Sequence, residues 1–134
     1  MNYDEFIEEV RERGHMGSRE EAEKATRATL RPLAERLRGG EAKDLASQLP
    51  PEIAEHLEHE RAGAGESFSL DEFFERVCER DEGVDLPRAV YHARVVVDVL
   101  GEAITRGEIE DVRSQLPAEY GPLFKAGSQG EMDT

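Results

Sequence analysis

A pair of histidines three positions apart is the pattern in this sequence that comes closest to a metal site. His56 and His59 lie in a segment with helical periodicity, where side chains at this spacing face the same way. Two imidazoles, with Glu52 and Glu55 nearby, would suit a divalent metal. The spacing is neither the His-Glu-x-x-His of zinc proteases nor the Glu-x-x-His of di-iron bundles. An exposed polar helix end explains it better, so we expect no metal and no cofactor, with this pair as the weak candidate.

A stripe of basic side chains lies on one face of the predicted second helix. It consists of Lys24, Arg27, Arg31 and Arg38, in a chain that is otherwise strongly acidic. Such a stripe suits an acidic partner or a small phosphate, although neutralising neighbouring carboxylates is the simpler role. Within the stripe, Arg27 is the residue that recurs as an arginine, Arg94, in the second half of the chain.

Other residues that could do chemistry are better explained by structural roles. His92 lies beside the apolar face of a predicted central helix, where it is expected to be a core histidine. Cys78 is the only cysteine, which excludes an intrachain disulfide, and it lies in an apolar run where a free cysteine packs as a small hydrophobe. The sequence contains no phosphate-binding glycine loop and no nucleophile elbow. We therefore predict no catalytic residues.

The elements that position these residues follow from a repeat in the chain. When the sequence is aligned with itself so that Asp4 falls on Asp71, with no gap, 19 of the 49 positions from Asp4 to Glu52 are identical. The repeated blocks include a Gly-Glu pair and a Ser-Gln-Leu-Pro run, in which the leucine is expected to pack and the proline to fix the turn. Gap-free similarity of this length indicates a duplicated unit. We predict one domain over 1–125, with halves at 2–61 and 69–125 and a linker at 62–67.

Each half is predicted to be helical, which gives an all-α bundle of two tandem copies of a three-to-four-helix motif. Asn2 and Ser69, each three positions before a glutamate, have the pattern of capping residues that begin the first helix of each half. The segment 90–100 is valine-rich enough for a buried strand, but its counterpart in the first half has helical periodicity. We therefore predict a central helix there. Residues 126–134 carry no apolar stripe and are expected to be a disordered tail.

The overall charge limits the classes of partner. The 134 residues include 31 acids and 17 bases, for a net charge of −14. Such a surface repels phosphate backbones and anionic lipids, so we expect neither nucleic acid nor a membrane as partner. No apolar run reaches the roughly 20 residues of a membrane helix, and the acidic start is unlike a secretion signal. We expect a cytoplasmic protein.

Several motifs together point to a known family. They are Tyr3-Asp4-Glu5-Phe6, the run from Glu21 to Leu30, the pattern Leu33-x-x-Arg36-Leu37-x-x-Gly40-Glu41-Ala42-x-Asp44-Leu45, and Gln48-Leu49-Pro50. Over residues 1 to about 125 the chain resembles the prokaryotic "domain of unknown function 2267" family. The resemblance implies a small, soluble, all-helical protein with a duplicated half, and it implies no activity, substrate or catalytic residue.

The sequence favours a non-enzymatic helical module that acts through protein contacts, with self-association or a homo-oligomer included. The alternative is a small-molecule or metal-binding protein whose site lies in the groove between the two halves, where ligands commonly bind. In either case, the residues expected to meet the ligand or partner are Arg27, Arg94, His92, Lys24 and Arg31.

Overall fold

The computed structural model describes residues 1–124, which fold as helices joined by turns, as the all-α prediction requires. Within this part of the chain there is no strand, apart from an isolated antiparallel bridge between Arg38 and Ala64. The predicted tail at 126–134 lies outside the described residues. The α-helices are Tyr3–Arg13 (α1), Arg19–Arg36 (α2), Glu41–Ala46 (α3), Pro51–Ala54 (α4), Leu70–Arg80 (α5), Leu86–Ala103 (α6) and Arg106–Ser114 (α7), with 3₁₀ turns at Glu55–Leu57 and Ala118–Phe124.

Side-chain caps set the starts of the long helices. The Asn2 side chain accepts the Glu5 N–H at 2.8 Å, and the Glu5 carboxylate accepts the Asn2 N–H at 2.8 Å. Ser18, Ser69 and Asp85 each accept the N–H three positions further on. These bonds satisfy backbone donors that have no partner inside the helix. The starts predicted at Asn2 and Ser69 are therefore confirmed.

The long helices α1, α2, α5 and α6 form the main core. Helix α2 packs against α1, α5 and α6, and α6 also packs against α1 and α5. The valine-rich segment is helical, as predicted, and is buried on most of its faces. The buried side chains of α6 are Ala89, His92, Ala93, Val95, Val96, Val97, Val99 and Leu100.

Helices of the two halves recur at equivalent positions of the repeat alignment, in which Asp4 falls on Asp71. Helix α5 begins and ends at the counterparts of the first and last residues of α1, and the same holds for α6 and α2. The last 3₁₀ turn, Ala118–Phe124, covers the positions that α4 and the following 3₁₀ turn cover in the first half. The long helices thus keep the lengths and joints of their counterparts.

Among the ion pairs that join helices from opposite halves, two are equivalent in the repeat alignment. Arg13 on α1 bonds the Glu102 carboxylate on α6 at 2.7 and 2.8 Å. Arg80 on α5 bonds the Glu35 carboxylate on α2 at 2.9 and 3.3 Å. In the repeat alignment Arg80 is the counterpart of Arg13, and Glu102 is the counterpart of Glu35, so the two pairs are reciprocal.

Candidate functional site

The two halves also meet where α3 packs on α7. Helix α3 begins at Glu41, directly after Gly39 and Gly40, and buries Ala42, Leu45 and Ala46. Helix α7 begins after Thr105, whose hydroxyl accepts the Glu108 N–H at 3.2 Å. Each short helix has its buried side chains on one face.

Two glutamine side chains form hydrogen bonds across this junction, each with backbone groups of the other half. Gln48 Oε1 accepts the N–H of Thr105 at 2.9 Å. Gln115 Oε1 accepts the N–H of Arg38 at 2.9 Å, and its Nε2 donates to the Arg38 carbonyl at 3.3 Å. Gln115 is the counterpart of Gln48 in the repeat alignment, and Thr105 is the counterpart of Arg38, so these bonds are reciprocal as well. Each glutamine therefore bonds the backbone of the loop before α7 or α3 in the other half.

Three carboxylates converge at this junction. Each of Glu41, Glu108 and Asp111 offers one carboxylate oxygen, and these oxygens all lie within 4.8 Å of one another. Glu108 is only 7% exposed, whereas Glu41 is half-buried and Asp111 is exposed. The cluster is therefore closed by protein at Glu108 and open to solvent at Asp111.

The Glu108 carboxyl is surrounded by negative charge. Burial raises the pKa of Glu108 to about 8, and the negative charges of Glu41, Asp111 and Asp44 act in the same direction. Among the described residues no base forms an ion pair with Glu108, and its Oε2 atom has no hydrogen-bond partner. A buried carboxylate costs free energy unless it is protonated or paired with a cation. The arrangement thus favours either a proton or a bound cation.

The donor set suits a hard cation. Carboxylate oxygens are the ligands that Ca²⁺, Mg²⁺ and Mn²⁺ prefer, whereas Zn²⁺ sites are built mainly from thiolates and imidazoles. A calcium ion lies about 2.3–2.6 Å from each ligand, so its ligand oxygens are at most about 5 Å apart. The 4.8 Å limit on the three oxygens is compatible with this size. The solvent-exposed side at Asp111 leaves room for water ligands.

His92, predicted to meet a ligand, is in the core. Its Nδ1 lies 2.7 Å from Oδ2 of Asp81, and both side chains are 0% exposed. His92 Nε2 and Asp81 Oδ1 have no hydrogen-bond partner among the described residues. The pair joins the end of α5 to the middle of α6. The structure therefore places His92 in a polar contact between buried helices.

The predicted basic residues have separate surroundings. Lys24 Nζ donates to the Glu82 carbonyl in the wall of a hollow of about 520 Å³. Arg27 is exposed, while Arg31 and Arg94 are half-buried, and the Nε atoms of these two arginines are buried without a hydrogen-bond partner. Lys24 thus contacts the loop before α6.

The two candidate metal-binding histidines do not share an α-helix. Helix α4 ends at Ala54 and the next 3₁₀ turn ends at Leu57, so His59 lies beyond both. The helical segment that was expected to carry both histidines ends early because the chain turns back, and the Gly63 N–H bonds the Ala34 carbonyl of α2 at 2.8 Å.

Backbone groups engage both ring nitrogens of His59. Its Nε2 lies 3.2 Å from the Arg31 carbonyl, and its Nδ1 accepts the Arg61 N–H at 3.3 Å. Burial lowers the pKa of His56, and the positive charges of Arg27 and Arg31 act in the same direction. The two histidines therefore have different surroundings, although their spacing in the sequence suggested a shared metal site.

Sequence reasoning missed the carboxylate cluster, although a signal for it exists. Glu108 lies four positions before Val112, a core residue, so it shares the buried face of α7. Glu41 and Asp44 recur as Glu108 and Asp111 in the repeat alignment. The missing information was that α3 pairs with α7, which no local pattern encodes.

Together, the fold and the junction define a small all-α protein with an acidic site between paired helices. A family model described as an uncharacterized conserved protein (DUF2267) matches residues 3–123, so the chain belongs to this family. No match was found among the curated proteins. In the part of the chain from 1 to 124, no helix has the length and apolar character needed to cross a membrane.

Proposed function

We propose that this protein is a non-enzymatic helical module that binds a divalent cation at the junction of its two halves. The ligands are Glu41, Glu108 and Asp111. The observation that carries the proposal is the Glu108 carboxylate, which is 7% exposed, has one unpartnered oxygen and lies beside two other acids. A cation would neutralise this charge, for which residues 1–124 supply no base.

The proposal includes a duplication of one helical motif, with the two copies related by a pseudo-twofold axis. The reciprocal ion pairs of Glu35 and Glu102 and the reciprocal bonds of Gln48 and Gln115 support it. In a twofold arrangement, a residue meets its own counterpart only near the axis. Glu41 and Glu108 are such counterparts, so the site lies on the axis and both copies contribute to it.

We also propose that the protein works in a prokaryotic cytoplasm. The family resemblance supports the prokaryotic source, and the acidic surface with a net charge of −14 supports a soluble setting. In this compartment the protein would bind divalent ions directly from solution.

Isothermal titration calorimetry on chelator-treated protein tests the cation site. We expect saturable binding of one Ca²⁺ per chain, and Glu108→Gln should weaken it by at least about tenfold, which is about 1.4 kcal/mol. Glu110→Gln is the matched control, because it removes an exposed charge from the same helix. Absence of saturable binding in the millimolar range, or equal weakening by both variants, would reject the proposal.

Two aspartates at equivalent positions allow a sharper comparison. Asp111 belongs to the cluster, whereas Asp44, its counterpart in the first half, does not. Asp111→Asn and Asp44→Asn remove the same charge from equivalent exposed positions. Asp111→Asn should weaken calcium binding more, because it removes a ligand as well as a charge. Equal affinities for the two variants would indicate general charge attraction instead of a defined site.

A second candidate function, contact with a basic protein segment, rests on a different surface. A hollow of about 630 Å³ beside α1 is lined by Met1, Asp4, Glu5, Glu8, Glu9 and Glu102. Five carboxylates around a partly exposed methionine suit a segment that carries both basic and apolar residues.

Binding of an arginine- and leucine-containing peptide tests the contact function. We expect Glu8→Lys to weaken this binding, because the charge lies in the hollow, and Glu110→Lys, on α7, to leave it unchanged. Equal effects of the two variants would contradict it. Light scattering on the free protein distinguishes this partner from self-association, which would raise the measured mass.

A further inference from the structure

Helix α7 has a small apolar contact with the rest of the protein. It packs against α3, and its buried side chains are Val112 and Glu108, with Ile109 half-buried. The glutamines that span the junction make exposed hydrogen bonds, and such bonds add little because water competes for the same groups. The position of α7 therefore depends strongly on the charge at its first turn.

The three carboxylates of the cluster act against this packing when they are ionised without a cation. The carboxylate oxygens of Glu41, Glu108 and Asp111 lie within 4.8 Å of one another. Glu41 belongs to α3, and the other two belong to α7. Like charges at this separation repel most strongly where one of them is buried. The repulsion is therefore directed across the contact between α3 and α7.

We infer that α7 is a calcium-responsive element, an inference that rests on the cation site proposed above. A calcium ion held by Glu41 on one side and by Glu108 and Asp111 on the other fixes α7 on α3. Removal of the ion releases α7 from α3 while the core of α1, α2, α5 and α6 stays folded. A bound ion would also satisfy the Glu108 carboxylate oxygen that has no hydrogen-bond partner, in a residue that is only 7% exposed.

Calcium fits this role better than magnesium. Calcium accepts six to eight oxygen ligands in irregular arrangements at about 2.3–2.6 Å, whereas magnesium requires a near-ideal octahedron at about 2.0–2.1 Å. Ligands from two separate helices, one buried and one open to solvent, form an irregular set. Water completes the coordination at the exposed side of Asp111.

Thermodynamic linkage connects binding to the docking of α7. The three ligands come together only when α7 is docked, so the ion binds the docked state and shifts the equilibrium toward it. At a free calcium concentration ten times the dissociation constant, the shift is about tenfold. The same factor should appear in the protection of α7 backbone amides from hydrogen exchange.

Hydrogen–deuterium exchange on the full chain, followed by mass spectrometry, tests the inference. We compare chelator-treated protein with protein in excess Ca²⁺ or Mg²⁺ at pH 9, where the Glu108 carboxyl is ionised, and at fixed ionic strength. Amides of 106–116 should exchange about tenfold more slowly with Ca²⁺ at ten times its dissociation constant. Mg²⁺ should have a smaller effect, and amides of α5 and α6 should exchange at the same rate in all three conditions.

Hydrogen exchange in three variants distinguishes release of α7 from unfolding of the whole chain. Glu108→Gln removes the buried charge, so 106–116 should exchange slowly with or without calcium. Asp111→Asn should reduce the response to calcium, and Glu110→Gln should respond like the parent protein. If Glu108→Gln exchanged as fast as the calcium-free parent, repulsion at this site would not control α7 and the inference would fail.

The exchange data and the calorimetry distinguish two failures. Calcium binding without slower exchange at 106–116 would overturn the inference and leave the cation site intact. Uniform slowing over the whole chain would also overturn it, because the ion would then stabilise the entire fold. Absence of calcium binding in calorimetry would overturn the cation site and this inference together.

Discussion

Glu35 and Glu108 are both buried glutamates, but arginines surround Glu35, whereas other acids surround Glu108. Glu35 is 2% exposed and bonds Arg76 at 3.0 Å and Arg80 at 2.9 Å, so two guanidinium groups compensate its negative charge. Glu108 faces Glu41 and Asp111, and its pKa is raised to about 8. One glutamate therefore joins helices by its charge, while the other needs a proton or a cation.

The raised pKa of Glu108 predicts that stability falls with rising pH in the calcium-free protein. The pKa is about 8 in the folded chain and near the ordinary 4.5 in the unfolded chain, so the folded state binds the extra proton. This stabilisation is complete below pH 4.5 and is lost as pH rises through 8. The free energy of unfolding should fall by up to about 1.4 kcal/mol per pH unit between these values.

Urea unfolding at several pH values between 5 and 9, in the presence of a chelator, measures this slope. Glu108→Gln carries no titrating group at this position and should show a flatter profile. Glu110→Gln should keep the slope of the parent protein. Parallel profiles for the parent and Glu108→Gln would show that another group causes the pH dependence.

The contact between His92 and Asp81 predicts unequal effects of two substitutions. His92→Leu leaves the Asp81 carboxylate fully buried without its 2.7 Å partner, which should cost about 3–5 kcal/mol of unfolding free energy. Asp81→Asn keeps an oxygen that can accept from Nδ1 and should cost about 1–3 kcal/mol. The double variant should recover part of the loss in urea unfolding. Strict additivity of the two single effects would contradict the contact.

At the scale of elements, the long helices could be predicted because local signals determine them. The Asn2 and Ser69 caps begin α1 and α5 where the capping pattern places them. Comparison with the first half correctly assigned 90–100 to a helix, although its valines alone are compatible with a strand. Capping patterns and the repeat are both visible in the sequence, so the prediction needed no tertiary contact.

The candidate site could not be predicted, because its residues meet only through tertiary pairing. Glu41 and Glu108 are remote in sequence, and α3 has six residues with weak helical periodicity. The segment after α4 was also predicted incorrectly as a longer helix, since the return of the chain to Ala34 ends it early. Short elements whose ends are fixed by distant partners carry little local information.

The reciprocal ion pairs predict an asymmetry between equivalent glutamates on α2 and α6. Glu35→Gln removes the buried partner of Arg76 and Arg80, which are themselves 19% and 33% exposed, and we expect a cost of about 1–3 kcal/mol. Glu102→Gln removes an exposed pair, because the Glu102 side chain is 53% exposed, and should cost about 0–1 kcal/mol. Thermal melting and urea unfolding measure the free energy of unfolding of both variants. Equal costs would mean that burial does not set the strength of these pairs.

At the scale of the whole molecule, each half depends on the other for its core. The buried residues of α2 pack against α5 and α6 of the second half. A chain of about 60 residues buries only about 60% of its unfolded surface. We predict that residues 1–66, expressed alone, do not melt cooperatively in circular dichroism. A cooperative transition near that of the full chain would contradict this dependence and identify the halves as independent domains.

The net charge of −14 leads to the prediction that sodium chloride stabilises the protein. Folding brings the excess carboxylates closer together than they are in the unfolded chain, so their repulsion destabilises the folded state. Exposed pairs such as Arg11 with Glu8 contribute only about 0–1 kcal/mol each and cannot offset an excess of acids this large. Salt weakens these pairs too, but the uncompensated charges are more numerous, and the net effect should be stabilising.

The melting temperature in NaCl from 0.01 to 1 M, at pH 7 and with a chelator present, measures this effect. The Debye length falls from about 30 Å to about 3 Å over this range, so the repulsion is largely screened at the upper end. Sodium chloride is preferred to sulfate, which strengthens hydrophobic burial and would raise the melting temperature for another reason. The chelator separates screening from calcium binding at Glu108. A flat or falling melting temperature would mean that the ion pairs already compensate the carboxylates.

The same titration in excess calcium should start from a higher melting temperature and rise less, because the bound ion neutralises the cluster that screening would otherwise relieve.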